Sequence, residues 1–272
     1  MELLEKLEVI VILRAIWQYR GFISGLVKRD FQSKYLNSVL GSVWSILNPI
    51  ALIIVYTVIF SQVMGTRMPN SSSMLSYSIY LCAGLLPWQF FAETISRMQN
   101  VFIEQSGIMK KVSFPRTSLP LYIMISSFLN FIIIYSLFMF FLMITGNFPG
   151  LIILKVIPLL FLQQLFALSI GILLATLNVF FRDIGHTFAI VLQFWSWLTP
   201  LVYTIEIIPN NLKSIFDWNV MIPIINGYHS IFLDKQWDKW NTLWPLFFAS
   251  IFLLLLGYFL FKKLDKEMVD EL

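Results

Sequence analysis

The stretch Leu26-Val27-Lys28-Arg29-Asp30-Phe31-Gln32-Ser33-Lys34-Tyr35-Leu36-Asn37-Ser38-Val39-Leu40-Gly41-Ser42-Val43-Trp44 decides the class of this chain. Its first half is charged and aromatic, and its second half runs without a break into a long apolar segment. A passage from Lys-Arg-Asp to membrane-length hydrophobicity over so few residues marks a bilayer boundary. The composition agrees. Of 272 residues 58% are apolar and 12% charged, against about 25% charged in a soluble domain. The 26 Phe and 9 Trp suit a lipid environment with aromatic interfaces. A net charge of +4 is too small to imply nucleic acid. The single cysteine, Cys82, excludes an internal disulfide and a thiolate-rich metal site. Met1 to Glu8 alternates acidic and apolar residues, unlike a cleavable signal, so the N-terminus reads as retained.

A helix needs about 20 mostly apolar residues to cross the hydrocarbon core. Six segments qualify: 42–63, 74–97, 117–145, 151–181, 186–205 and 242–261. The expected fold is an all-α integral membrane protein, with a cytoplasmic N-terminal segment (1–37) and a transmembrane domain (38–272). Within the second span, Pro87 in Gly84-Leu85-Leu86-Pro87-Trp88 should bend or break the helix. The third and fourth spans exceed what a bilayer requires and should tilt or project into water.

Cations set the orientation. Lys6, Arg14, Arg20, Lys28, Arg29 and Lys34 precede the first span. Arg97, Lys110, Lys111, Arg116, Arg182, Lys262, Lys263 and Lys266 fall on the same side, fourteen of the 19 Lys and Arg. Arg67, Lys155, Lys213, Lys235 and Lys239 lie opposite. Positive charge stays inside, which predicts two cytoplasmic termini. Before the first span, Ile16, Tyr19, Ile23, Val27, Phe31 and Tyr35 form an apolar stripe at steps of three and four, with basic residues interleaved. This pattern fits a helix lying in the cytoplasmic interface; a short soluble helix packed on the rest is the alternative.

Ionisable groups are nearly absent from the spans. Glu93 is the main exception, one turn from Arg97, where a local i, i+4 ion pair competes with a substrate contact. No carboxylate pair is available to carry a proton or sodium ion, which disfavours secondary transport. His186 and His229 lack partners at metal-ligand spacing, and no G-x-x-x-x-G-K-[ST] phosphate loop occurs. Any work done must draw energy from another polypeptide. Gly21 to Gly25 has small-residue packing spacing but lies outside a span, and Asn70-Ser71-Ser72 matches a glycosylation acceptor by chance.

Three connections stand out. Glu104 to Arg116 is a cytoplasmic loop with a short amphipathic core, suited either to docking a soluble partner or to a solvated basic turn. Phe181-Arg182-Asp183-Ile184 is a second, tight turn on that side. On the outer side, 206–234 holds apolar bursts too short to span and too greasy for a free loop. Two short re-entrant helices between spans five and six, started or broken by Pro209 and Pro223, satisfy both facts. The aromatics Trp88, Phe90, Phe91, Phe194, Trp195, Trp197 and Tyr203 invite a sugar-stacking reading beside the ordinary one of interface anchors and lipid-facing rings.

Several patches together resemble one family: Lys28-Arg29-Asp30 with Lys34-Tyr35, Ser38-Val39-Leu40-Gly41 and Trp44; Gly84 to Trp88 with Phe90-Phe91; Lys110-Lys111 with Phe114-Pro115-Arg116; Phe180 to Ile184; and Pro200 to Tyr203. Their order and spacing are similar to the ABC-2 type permease subunits of polysaccharide ABC exporters, the O-antigen, teichoic acid and capsule group. The resemblance covers nearly the whole chain. It implies a homodimer of six-span subunits in the bacterial cytoplasmic (inner) membrane, bound to two copies of a separate ATPase that holds ATP and Mg, with no cofactor in this chain. It implies export of a lipid-linked polysaccharide, without enzyme activity of its own. By the same likeness, Glu104, Ile108, Lys110, Lys111, Phe114, Arg116, Arg182 and Asp183 would couple to the ATPase. Lys28, Arg29, Lys34 and Tyr35 would line the access route of the lipid-linked substrate, and Trp88, Phe90, Phe91, Trp195, Trp197 and Tyr203 the channel. Pro209, Pro223 and Tyr228 would belong to outer gate helices. A permease for a small amphiphile or drug is the alternative within transport, and a membrane sugar-lipid transferase the alternative outside it. The transferase would need clustered carboxylates or histidines, which the sequence lacks.

Overall fold

The computed structural model describes residues 17–35, 75–112, 114–205 and 208–272, with six further positions between 43 and 55. Apart from those six, the expected first span (42–63) lies outside the described residues, as do 1–16, Arg67, the Asn70 acceptor, Glu206 and the side chains of Lys34 and Tyr35. All regular elements among the described residues are helical. In chain order they are α1 (Arg20–Tyr35), α2 (Ser76–Met98), the one-turn α3 (Val101–Glu104) and α4 (Ser106–Met109), and α5 (Ser118–Ile144). A 3-10 turn (Gly150–Lys155) leads into α6 (Val156–Phe180), followed by α7 (Asp183–Trp197), α8 (Asn210–Asp217) and α9 (Ile222–His229). A π turn (Ser230–Asp234) and a 3-10 turn (Trp240–Leu243) precede α10 (Trp244–Leu264), and α11 (Glu267–Glu271) ends the chain.

Three of these are long and apolar enough to cross a membrane: Ser118–Ile144, Gly150–Phe180 and Trp240–Leu264. Their bounds follow the hydrophobic runs, because leaving lipid ends the advantage of an apolar side chain while the backbone must stay hydrogen-bonded throughout. Gly150–Phe180, a six-residue 3-10 turn plus 25 α-helical residues, is about 50 Å long. That exceeds a core of about 30 Å.

Of the bend or break expected at Pro87, the break does not occur: α2 is one helix over Ser76–Met98 with Pro87 inside it. Pro87 sits among Leu86, Trp88 and Phe91, all buried, where a break would strand backbone polar groups in apolar surroundings. The fifth segment is shorter than 186–205. α7 ends at Trp197, three residues before Pro200, and 15 residues rise only about 22 Å, short of the hydrocarbon core.

α2 is the central helix and is buried on nearly every side. α6 packs on α2 and on α10 through small residues. A side chain at Gly171 would meet the Met98 sulfur at 2.5 Å, and one at Gly257 would meet the Leu173 backbone nitrogen at 3.3 Å. The Ser169 hydroxyl donates to the Ser250 carbonyl across the α6/α10 seam at 2.7 Å. Close backbone approach of this kind replaces the hydrophobic drive that helices lack in lipid. By contrast a side chain at Gly21 or Gly25 would meet nothing within 4 Å among the described residues, so that spacing on α1 makes no packing contact among them.

Candidate functional site

The bundle has two polar ends and an apolar middle. At one end gather α1, the C-terminal ends of α2, α6 and α10, the segment 101–116, the start of α7 and α11. These elements carry the cation-rich set of the sequence, including Arg97, Lys110, Lys111, Arg116, Arg182 and Lys262.

Arg97 is the hub of this basic end. Its Nη2 bonds Asp30 Oδ2 on α1 at 2.7 Å. Its Nη1 donates to the hydroxyls of Ser126 and Ser127 on α5, each at 3.2 Å. The Glu93 carboxylate, the expected i, i+4 partner, is there at a longer 3.6 Å and accepts a bond from Asn130 at 2.8 Å. Arg97 and Asp30 are 18% and 19% exposed. In such partial burial a charge persists only with its counter-charge beside it. Asp30, to which the sequence assigns no partner, is therefore the principal partner of Arg97.

Segment 101–116 rests on a buried floor. Val101, Phe102 and Met109 pack with Ile23 and Leu26 of α1, Met98, Val179, Phe261 and Met268. Phe102 stacks on Phe261 at 5.6 Å and Phe114 packs on Phe22 at 4.7 Å. Polar braces surround it. Arg29 Nη2 donates to Gln105 Oε1 at 2.9 Å, and Arg116 Nη1 reaches Asp265 Oδ1 at 2.5 Å. Between these braces Glu104, Lys110, Lys111 and Val112 face outward and Ile108 is half-buried. Lys110, Lys111 and Arg116 help to line a cleft of about 300 Å³. The tight turn is brought to the same end. Asn178 donates to the Gln99 carbonyl and to Asn100 Oδ1, and accepts from the Gly185 N–H, each at 3.0 Å. Gly185 lets the backbone come close there: a side chain would sit 3.3 Å from Asn178 Oδ1, and the amide would have to shift by a few tenths of an ångström. Arg182 and Asp183 project outward beside this hub. The two connections expected to couple to a partner thus share one braced surface, 104–116 and 181–184.

The opposite end is locked by tyrosines and amides. Tyr77 donates to the Val202 carbonyl at 2.6 Å, and the Tyr80 hydroxyl lies 2.7 Å from the Tyr203 carbonyl. Tyr80 stacks on His229 at 3.8 Å, and Gly84 makes room beside it: a side chain there would come within 2.7 Å of His229 Nε2. Tyr228, fully buried, donates to Gln163 Oε1 at 2.7 Å, and Gln163 Nε2 donates to the Pro87 carbonyl at 2.9 Å. Asn219 accepts from Trp195 Nε1 at 2.9 Å and from the Met221 N–H, and donates to the Leu198 carbonyl and the Thr199 hydroxyl. The segment after α7 is therefore fixed through α2, α6 and α7. Pro209 stands at the N-cap of α8 and Pro223 in the first turn of α9, where a missing N–H costs least.

Of the aromatics, Trp88, Phe90 and Phe91 are core residues. Phe90 stacks on Phe131 at 4.4 Å, and Phe91 packs between Phe166 and the edge of Trp195. Their faces are taken by neighbouring rings, as spacing alone does not reveal. Trp197 and Phe194 are two-thirds exposed, while Trp195 and Tyr203 are half-buried. Lys28 and Arg29 are exposed on α1. Among the described residues no cluster of His, Cys, Asp and Glu could hold a metal ion.

Comparison with known proteins places the chain. The ABC-2 type transporter family model matches residues 22–233. An O-antigen export system permease protein RfbA of Klebsiella pneumoniae is 30% identical over 248 residues, 91% of this chain and 93% of the relative. The RfbA of Myxococcus xanthus is 27% identical over 266 residues, 97% of this chain and all of the relative. The polysialic acid transport protein KpsM of Escherichia coli is 18% identical over 250 residues, 92% and 95%. Long apolar helices, polar networks at both ends, and a match over most of the length coincide: this multi-pass membrane protein belongs to the ABC-2 type transporter family.

Proposed function

We propose that this chain is the permease subunit of an ATP-driven exporter that moves a lipid-linked polysaccharide across the bacterial inner membrane. The observation that carries the reading is the alignment of 91–97% of the chain with O-antigen export permeases. Six membrane-embedded segments per subunit, the fifth with a helix shorter than the hydrocarbon core, two subunits around one conduit and two copies of a separate ATPase complete the arrangement. The basic end is cytoplasmic, with both termini there, and 206–234 forms re-entrant helices on the outer side.

Geometry supports the division of labour. Segment 104–116 and the 181–184 turn offer outward charges from one braced surface. A push delivered there reaches α1 through Arg29–Gln105, α2 and α6 through Asn178, and α10 through Arg116–Asp265. The partner's differential affinity for nucleotide would supply the driving force. The three long helices carry no charge in their interiors, so a long glycan would meet a conduit with few strong binding points.

The test is deletion of the gene. Lipid-linked glycan should accumulate on the cytoplasmic face and surface glycan should vanish, and the intact gene should restore both. Normal surface glycan with loss of resistance to an amphiphilic drug would replace this reading with small-molecule export.

A further inference from the structure

A cleft of about 860 Å³ lies between α1 and α5; the family likeness places Lys28, one of its lining residues, on the access route of the lipid-linked substrate, but gives the apolar trough itself no role. Its α5 wall runs from Leu121 to Ile133. That is about 18 Å at 1.5 Å per residue, close to one leaflet of a core about 30 Å thick. Ile125, Leu129 and Ile132 offer exposed faces at helical spacing, 38%, 41% and 45% accessible. Val27 and Phe31 of α1 form the facing wall. The volume falls within the range of about 300–1,000 Å³ typical of ligand sites.

The cations that line the cleft, Arg20 and Lys28, both belong to α1. Arg29 is committed to Gln105, and Arg20 to the Trp17 carbonyl and ring. Lys28 lines the cleft, is exposed, and forms no ion pair among the described residues. An apolar trough about as long as one leaflet, with an available ammonium in its α1 wall, complements a hydrocarbon chain bearing a phosphate. The inner wall is shut, because Asp30–Arg97 and the Ser126 hydroxyl pin α1 to α2 and α5 just behind it. A chain in the trough therefore reaches a dead end rather than the bundle interior.

We propose that this cleft is a resident-lipid site: it holds one anionic phospholipid of the bilayer, its acyl chain along Leu121 to Ile133 and its phosphate on Lys28. The occupant is part of the folded protein and not the exported cargo. The inference needs only that the chain sits in a membrane, so its test runs without any glycan.

Full-length protein is placed in phosphatidylcholine nanodiscs doped with phosphatidylglycerol carrying a photoreactive acyl chain, and adducts are mapped by peptide mass spectrometry. Adducts should be enriched several-fold on 118–133 over the outward face of α10 at Phe252 and Leu255. Leu129→Trp and Ile125→Trp, each filling the trough from an exposed position, should remove the enrichment while leaving the α10 adducts as a measure of intact fold. Lys28→Gln should erase the preference for the phosphatidylglycerol probe over its phosphatidylcholine counterpart. Equal labelling of the two faces, or enrichment that survives both tryptophans, overturns the proposal. So does displacement of the probe by an equimolar polyprenyl phosphate, which would make the cleft a cargo route.

Discussion

Replacing Arg97 with glutamine tests whether the basic end is held by one charge hub. The guanidinium serves Asp30, Glu93, Ser126 and Ser127. Its loss leaves the Asp30 and Glu93 carboxylates without their shared counter-charge. Removing one partner of a fully buried pair costs about 3–5 kcal/mol, and of an exposed pair about 0–1 kcal/mol. With both groups a little under one-fifth exposed, the cost should lie nearer the buried case, about 2–3 kcal/mol. Glu93→Gln, which removes the charge behind the longer 3.6 Å contact and keeps an amide oxygen to accept from Asn130, should cost under about 1 kcal/mol. Equilibrium unfolding in bicelles by titration with sodium dodecyl sulfate reads these differences directly. The double variant Asp30→Asn/Arg97→Gln should be more stable than the sum of the single losses predicts, by about 1–3 kcal/mol of coupling. Amide exchange adds a local readout: in Arg97→Gln, 20–35 should exchange faster while α10 keeps its protection. Additive single and double variants, or an Arg97→Gln no worse than Glu93→Gln, would refute the hub.

At the opposite end, Gly84→Ala pushes a methyl to 2.7 Å from His229 Nε2 and should cost about 1–3 kcal/mol by overpacking; trimming the ring in Gly84→Ala/His229→Ala should recover part of it in the same titration. Gln163→Leu strands the buried Tyr228 hydroxyl and should cost about 1–3 kcal/mol. Adding Tyr228→Phe to it should lessen the loss, whereas further destabilisation would mean the relay is not the relevant contact. Lys110→Glu/Lys111→Glu, at exposed positions, should shift stability within about 0.5 kcal/mol yet abolish co-purification of the partner ATPase.

Much of the fold is legible because lipid imposes a length rule. The runs 117–145, 151–181 and 242–261 match Ser118–Ile144, Gly150–Phe180 and Trp240–Leu264 to within a few residues. The charge asymmetry likewise matches the way the structure gathers the basic residues at one end. Local rules failed where tertiary packing outweighs them. Pro87 reads as a bend or a break, and α2 continues unbroken through it where core side chains enclose the helix. The fifth run continues apolar past Trp197 and reads as one span, but Pro200 ends the helix and tyrosine–carbonyl bonds from α2 hold residues 200–203 in place.

The site is legible in its positions and not in its partners. Lys110, Lys111, Arg116, Arg182 and Asp183 announce themselves as charges flanking apolar runs. Nothing in their spacing says that Arg116 would meet Asp265, or that Asn178 would join the two connections across 79 residues. Arg97 is the instructive case. Helical spacing offers Glu93 four residues away, whereas the shorter bond goes to Asp30, 67 residues earlier, because α1 folds back against α2 and α5. Periodicity names which face a residue occupies but cannot name what covers that face. The aromatics show the same limit in reverse: Trp88, Phe90 and Phe91 look like Trp197 in sequence, and only packing separates three filled core rings from one with an open face. Any sugar contact by this group should therefore fall first on Trp197. Trp197→Ala should impair export with little loss of stability, and Phe91→Ala should unfold the chain before any effect on export can be read.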